Sequence, residues 1–277
     1  MNVLHKVLLF FVLTQALGLY AGIFILEDAK TNTMVQEYMT VEQGVSSLPL
    51  FFAYILAGAA IFMFLIKFRL EFLLQILEIM VISVTSSILF YAFARPFVPD
   101  TVAAMAVSAC AGMALALAKH FIHALKNAAA IISSAGAGAV FGFSFSFMAS
   151  LIFLFLMAVY DYIAVFRTGH MVSMAREIIK QDMSFTVTAK EKLPTGKETR
   201  LDLGTGDLAL PVMVEVSAYQ IHPFLSIAIM GGAVAGAAFV LVYAWRNKVF
   251  LPAIPFIFSG IMLSLVASFL LLFLRVL

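Results

Sequence analysis

Four acidic residues stand inside long apolar runs of this 277-residue chain: Glu78, Asp161, Asp207 and Glu215. A carboxylate in hydrocarbon is costly, so each needs a partner, water or a task. Asp161 and Asp207 are set apart by where they fall. Asp161 lies five residues before the close of an apolar run at Phe166, and Asp207 just after the next run opens at Thr205. If the two runs are consecutive antiparallel helices, both carboxylates sit at similar depth near one membrane face, Asp161 about 7.5 Å in at 1.5 Å per residue. Two carboxyl groups a few ångströms apart cannot both ionise cheaply, so they share a proton. One can then act as base toward water while the other donates to a carbonyl oxygen, which is acid–base chemistry suited to hydrolysis. A place near the interface also lets water arrive.

The elements that must hold such a pair are written in the composition. Hydrophobic residues make up 64% of the chain and charged residues 12%, with a mean hydropathy of +1.07. Soluble domains run near half apolar and a quarter charged, so lipid is the solvent for most of this protein. Runs of about 20 apolar residues suffice to span a hydrocarbon core of roughly 30 Å. Nine are predicted: Val7–Leu26, Leu48–Ile66, Phe72–Ala94, Thr101–Ala118, Ala128–Ser146, Phe147–Phe166, Thr205–Ile221, Phe224–Trp245 and Leu251–Leu274. The first could be read as a signal peptide. Its uninterrupted length and the lack of a small-residue cleavage site make it the first spanning helix. The fifth and sixth are continuous in hydropathy, but a merged span of nearly forty residues is too long for a bilayer. A tight turn is therefore expected within Gly142–Phe147.

Loop charge sets the orientation. With nine spans, one side receives fourteen Lys and Arg residues, seven of them between Arg167 and Arg200, and the other side receives Lys30, Arg95 and Arg275. The expected fold class is thus an all-α polytopic membrane protein of nine transmembrane helices, N-terminus cytoplasmic and C-terminus outside. It reads as one integral membrane domain in three parts: residues 1–166 with helices one to six, a cytoplasmic loop at 167–203, and residues 204–277 with helices seven to nine. Within the loop, Ser184–Ala189 and Thr199–Leu203 alternate like short strands around Leu193-Pro-Thr-Gly196. They read as a hairpin or, equally, as a disordered charged loop. Gly138 and Gly142, and Gly232 and Gly236, stand four apart, and small residues so spaced let helices pack closely.

Local sequence around the two aspartates is specific. Asp161 follows Tyr160; Asp207 closes Leu203-Gly204-Thr205-Gly206-Asp207; the ninth run opens Leu251-Pro252-Ala253-Ile254-Pro255. Together these resemble the presenilin and signal-peptide-peptidase family of intramembrane aspartyl proteases, marked by a YD motif on helix six, a GxGD motif on helix seven and a PAL motif at the start of helix nine. All three motifs fall in order at the right helix ends, and the resemblance covers essentially the whole chain. The third departs from the pattern, reading Pro-Ala-Ile. The chain resembles a minimal, prokaryotic member, which implies a multi-pass protein of a prokaryotic cell membrane.

The resemblance implies catalysis by Asp161 and Asp207 and substrate contact by the other motif residues. Gly204 and Gly206, flanking Thr205, lack a Cβ and let an extended backbone pass near Asp207. Pro252 and Pro255 remove two backbone donors and leave the lead-in around Ala253 and Ile254 irregular, which is tolerated at membrane depth where it lines a wet cavity. Tyr160 points about 100° away from Asp161 and shapes the wall. The expected function is endopeptidase cleavage within transmembrane segments of membrane proteins, in a lipid bilayer and with no cofactor, metal or nucleic acid. The alternative is an ion channel or proton-coupled transporter using the buried acids. Nine helices without an obvious inverted repeat count against it. Glu78 and Glu215 are weaker candidates for a direct role. His120 and His123 are spaced like metal ligands, yet no third ligand is evident, and Cys110 stands alone.

Overall fold

The computed structural model describes residues 3–35, 48–68, 70–168, 183–192, 198–247 and 251–276. Nine α-helices of fifteen residues or more occur among them: α1 (Val3–Thr31), α2 (Leu48–Lys67), α3 (Glu71–Ala94), α4 (Thr101–Phe121), α5 (Lys126–Ser144), α6 (Phe147–Ile163), α7 (Thr205–Tyr219), α8 (Pro223–Asn247) and α9 (Ile254–Val276). Two strands, β1 (Thr186–Lys192) and β2 (Glu198–Gly204), pair antiparallel immediately before α7. Six helical segments are long and apolar enough to cross a bilayer, and the described part of α9 adds a shorter apolar helix.

The break between α5 and α6 falls inside the expected window. Phe145 is extended, and Ser146 caps α6 by accepting a hydrogen bond at its Oγ from the Ala149 N–H, 3.3 Å away. A serine cap supplies an acceptor for one of the orphan donors of a helix start. Asp100 does the same for α4, accepting from Ala103 N–H at 2.9 Å.

Helix α7 is the centre of the bundle. It packs against α1, α5, α6, α8, α9 and β2, and every residue from Leu210 to Ala218 is buried. Its fifteen residues reach only about 22 Å at 1.5 Å each, less than a roughly 30 Å hydrocarbon core. Enclosure by other helices removes the need for a lipid-matched length and shelters Glu215, which is fully buried. Close approach is achieved with glycine. A Cβ placed at Gly18 of α1 would sit 2.5 Å from Val212 Cγ1, and one at Gly138 of α5 would sit 2.6 Å from Val212 Cβ. Gly22 and Gly142 receive Val216 in the same way one turn further on. Two valines of α7 thus seat between paired glycines of α1 and α5, where dispersion between closely packed backbones drives association. Gly232 and Gly236 of α8 meet the α9 backbone at Gly260 and Phe256 by the same device.

Candidate active site

Asp161 lies in the last turn of α6 and is 1% exposed. The helix does not stop cleanly there. It widens into a π-helical turn at Ala164–Thr168, a departure from regular helix often found at functional sites. Asp161 Oδ2 accepts a hydrogen bond from the backbone N–H of Ile254, 3.3 Å away, while Oδ1 is buried with no partner among the described residues.

Asp207 is the third residue of α7 and partly exposed. Gly204 is the N-cap, with φ −66° and ψ 147°. That puts the Asp207 carboxylate where it can reach back to the Gly204 N–H, as in half a capping box. A Cβ at Gly204 would lie 3.3 Å from Asp207 Oδ2, whereas one at Gly206 would meet nothing within 4 Å. Gly204 therefore gives the carboxylate room, and a side chain begun at Gly206 meets none of the described residues. The hairpin sets the height of this turn. Phe185 C=O accepts from Thr205 N–H at 3.0 Å and from Thr205 Oγ1 at 3.3 Å, and Gly204 pairs with Thr186 in the ladder.

The third motif arrives from the other end of the chain. Leu251–Ala253 are not helical, and α9 begins at Ile254, three residues later than the apolar run suggests. Pro252, Ala253 and Ile254 are buried, with Pro255 half-buried. Pro252 and Pro255 have no N–H to leave orphaned in this first turn. The Ala253 carbonyl accepts from Phe256 and Ile257 N–H, so it closes the helix start.

The structure thus brings Asp161, Asp207 and Ile254 to one end of the bundle, with Asp207 inside the electrostatic range of Asp161. Tyr160 is half-buried beside them. Glu78 stands apart on α3. Its buried carboxylate pairs with Lys119 of α4 and accepts the Ser184 N–H at 2.6 Å. Glu215 is fully buried, and neither carboxylate oxygen has a hydrogen-bond partner among the described residues. Two residues escaped the sequence reading. Gln15 of α1, fully buried, donates from Nε2 to Leu208 C=O at 3.0 Å. That bond grips α7 beside Asp207, where Pro211 cannot supply the N–H that would bond the Asp207 carbonyl. Asn127 of α5 bonds both backbone groups of Thr188. An amide within an apolar run was the only cue to Gln15.

A helical membrane bundle with two acids at one end defines the class. The chain belongs to the family described as signal-peptide peptidase, presenilin aspartyl protease, whose pattern matches residues 8–275. Two solved structures, both of a presenilin family intramembrane aspartate protease, are similar. One is 21% identical with a TM-score of 0.67, covering 97% of this chain and 100% of that one. The other is 22% identical with a TM-score of 0.62, covering 93% and 96%. At these identities the likeness carries the fold. No curated protein matches.

Proposed function

We propose that the chain is an intramembrane aspartyl endopeptidase in which Asp161 and Asp207 are the catalytic pair. The observation that carries this reading is their convergence from α6 and α7, with Asp161 Oδ1 buried and without a partner among the described residues. One carboxylate takes a proton from water as its oxygen attacks the scissile carbonyl carbon, and the other carboxyl gives its proton to the carbonyl oxygen. The tetrahedral diol then collapses. Its C–N bond breaks, the amine leaves with a proton from the pair, and a carboxylic acid remains. The Ile254 N–H holds one Asp161 oxygen and so fixes which oxygen faces the reaction.

In this reading all nine helices cross the membrane, the N-terminus is cytoplasmic, the C-terminus is outside, and the hairpin and both aspartates lie at the cytoplasmic face of a prokaryotic cell membrane. The substrate is a transmembrane segment of another protein. A helical segment hides its carbonyls in its own hydrogen bonds, so it must unwind locally, and each freed backbone group needs a partner in hydrocarbon. Strand addition beside β2, with Tyr160, Gly204, Thr205, Gly206 and the Pro252-Ala253-Ile254-Pro255 lead-in around it, supplies that partner. The backbone groups of Arg200 and Asp202 on the outer edge of β2 have no partner among the described residues, which supports this.

The test is incubation of the purified protein in bilayers with a labelled transmembrane peptide, with and without a hydroxyl-bearing transition-state isostere. Inhibitor-sensitive cleavage inside the apolar segment supports the proposal. Ion flux across the same bilayers with no cleavage overturns it in favour of a channel or transporter.

A further inference from the structure

In an antiparallel pair, residues alternate between exchanging both hydrogen bonds with the partner strand and turning both backbone groups away from it. Thr188 turns its groups away. Its N–H donates to Asn127 Oδ1 at 2.8 Å, and its C=O accepts from Asn127 Nδ2 at 2.8 Å. One side-chain amide therefore does for β1 what a neighbouring strand would do. The alternation puts Thr186, Thr188 and Lys190 on the outer edge of β1 and their partners Gly204, Asp202 and Arg200 on the outer edge of β2. Two residues before Thr186, the Ser184 N–H is taken by the Glu78 carboxylate, itself paired with Lys119. Between these holds, Phe185 bonds Thr205 at the start of α7 and packs its ring edge-on against Phe62 of α2, centroids 5.5 Å apart. The β1 edge is held by α5 at Thr188 and its lead-in by α3 at Ser184, and the outward backbone groups of Arg200 and Asp202 on β2 have no hydrogen-bond partner among the described residues.

We propose that Asn127 and Glu78 are positioning residues that occupy the outer edge of β1 and so direct an incoming peptide strand to the outer edge of β2, in register with Asp207. This rests on the reading of the site as one that takes an extended substrate. An unpaired edge invites pairing with any strand, and two open edges would allow two registers of docking. Sealing one leaves a single edge, and the Thr188–Asn127 pair fixes its height relative to α7. Neither residue touches the reacting atoms.

The decisive variant is Asn127→Ala in the full chain, with Asn127→Asp as a milder form that keeps one acceptor for the Thr188 N–H but cannot donate to its carbonyl. Three readouts are taken: backbone hydrogen exchange across 183–192, KM and kcat on a labelled transmembrane peptide, and the cleavage positions by mass spectrometry. In Asn127→Ala, exchange at Thr188 rises while Val187 and Ala189, paired with β2, stay protected. KM rises about tenfold, the size of one to two ordinary hydrogen bonds, with a smaller fall in kcat, and cuts spread to neighbouring peptide bonds. Glu78→Leu gives the same spread. Loss of a purely structural contact would lower the amount of active enzyme without moving the cut. If the native protein cleaves and Asn127→Ala keeps the native KM and cleavage map, the proposal is overturned while proteolysis stands. If the native protein cleaves nothing, the protease reading falls, and unchanged exchange at Thr188 would still refute the docked edge on its own.

Discussion

The Asp161 carboxylate is bound to the first helical residue of α9 through its backbone, Ile254 N–H to Oδ2 at 3.3 Å. The contact joins residues 93 apart in sequence and makes the Pro-Ala-Ile lead-in part of the wall around one acid. Because the donor is the backbone, the identity of the side chain matters only for packing. That explains how isoleucine can stand where the family pattern has leucine.

Ile254→Leu is accordingly expected to keep the hydrogen bond and near-native cleavage. Ile254→Asp places a third acid in a position that is 4% exposed, where an unpaired charge costs several kcal/mol. It is expected to abolish cleavage. Peptide turnover measured beside the thermal midpoint separates lost chemistry from lost fold. Substantial turnover by Ile254→Asp would remove α9 from the site.

The two glycines of the α7 start are expected to behave differently. A Cβ added at Gly206 meets no atom of the described residues within 4 Å, so Gly206→Leu is expected to fold with a near-native midpoint and still lose cleavage, because its side chain fills the path of the substrate. Gly204→Leu begins 3.3 Å from Asp207 Oδ2 and should also disturb the carboxylate itself. Binding of a small active-site isostere tells them apart. Gly206→Leu should weaken extended peptides more than the small isostere, and Gly204→Leu should weaken both.

A pair that works with one shared proton is idle when both carboxyls are protonated and idle when neither is. Cleavage is therefore expected to rise and then fall across pH, with folding verified at each point. Either single aspartate variant should lose the whole profile. A flat rate from strongly acid to strongly basic pH would contradict a carboxylate dyad.

The valine-in-glycine packing around α7 predicts a stability effect separable from catalysis. Gly138→Leu drives new atoms into Val212, whose Cβ would be 2.6 Å from the added Cβ, and overpacking of this kind costs about 1–3 kcal/mol. Adding Val212→Ala should recover part of the loss, since residues in contact are coupled. Unfolding midpoints of the two singles and the double measure that coupling, and strict additivity would place the two residues apart.

Much of this arrangement is visible in the residues alone. Apolar runs locate the helices to within a few positions, and bilayer thickness forces the α5–α6 break that Phe145 and Ser146 make. The Gly-Thr-Gly-Asp run reads as room for an extended backbone near Asp207, while the N-cap at Gly204 emerges only from the fold. The alternation at Ser184–Ala189 and Thr199–Leu203 matches the strands observed, while the Pro194 and Gly196 turn lies outside the described residues. What local sequence hides is pairing across distance. Asn127 and Thr188 are 61 positions apart, Glu78 and Ser184 are 106 apart, and Gln15 and Leu208 are 193 apart. No periodicity marks such pairs, since each uses one polar residue and a backbone group that every residue has. Glu78 invited a catalytic reading for the same reason. A buried acid is conspicuous in sequence, and the Lys119 and Ser184 that satisfy it are not.

Asp161 and Asp207 acting as one catalytic unit is tested by cleavage of a labelled transmembrane peptide by Asp161→Asn, Asp207→Asn and the double variant, each reconstituted and shown to be folded. Losses for groups that act together are not additive. Each single variant is expected to lose all detectable inhibitor-sensitive cleavage, with the double variant no worse. Near-native turnover by either single variant would contradict it.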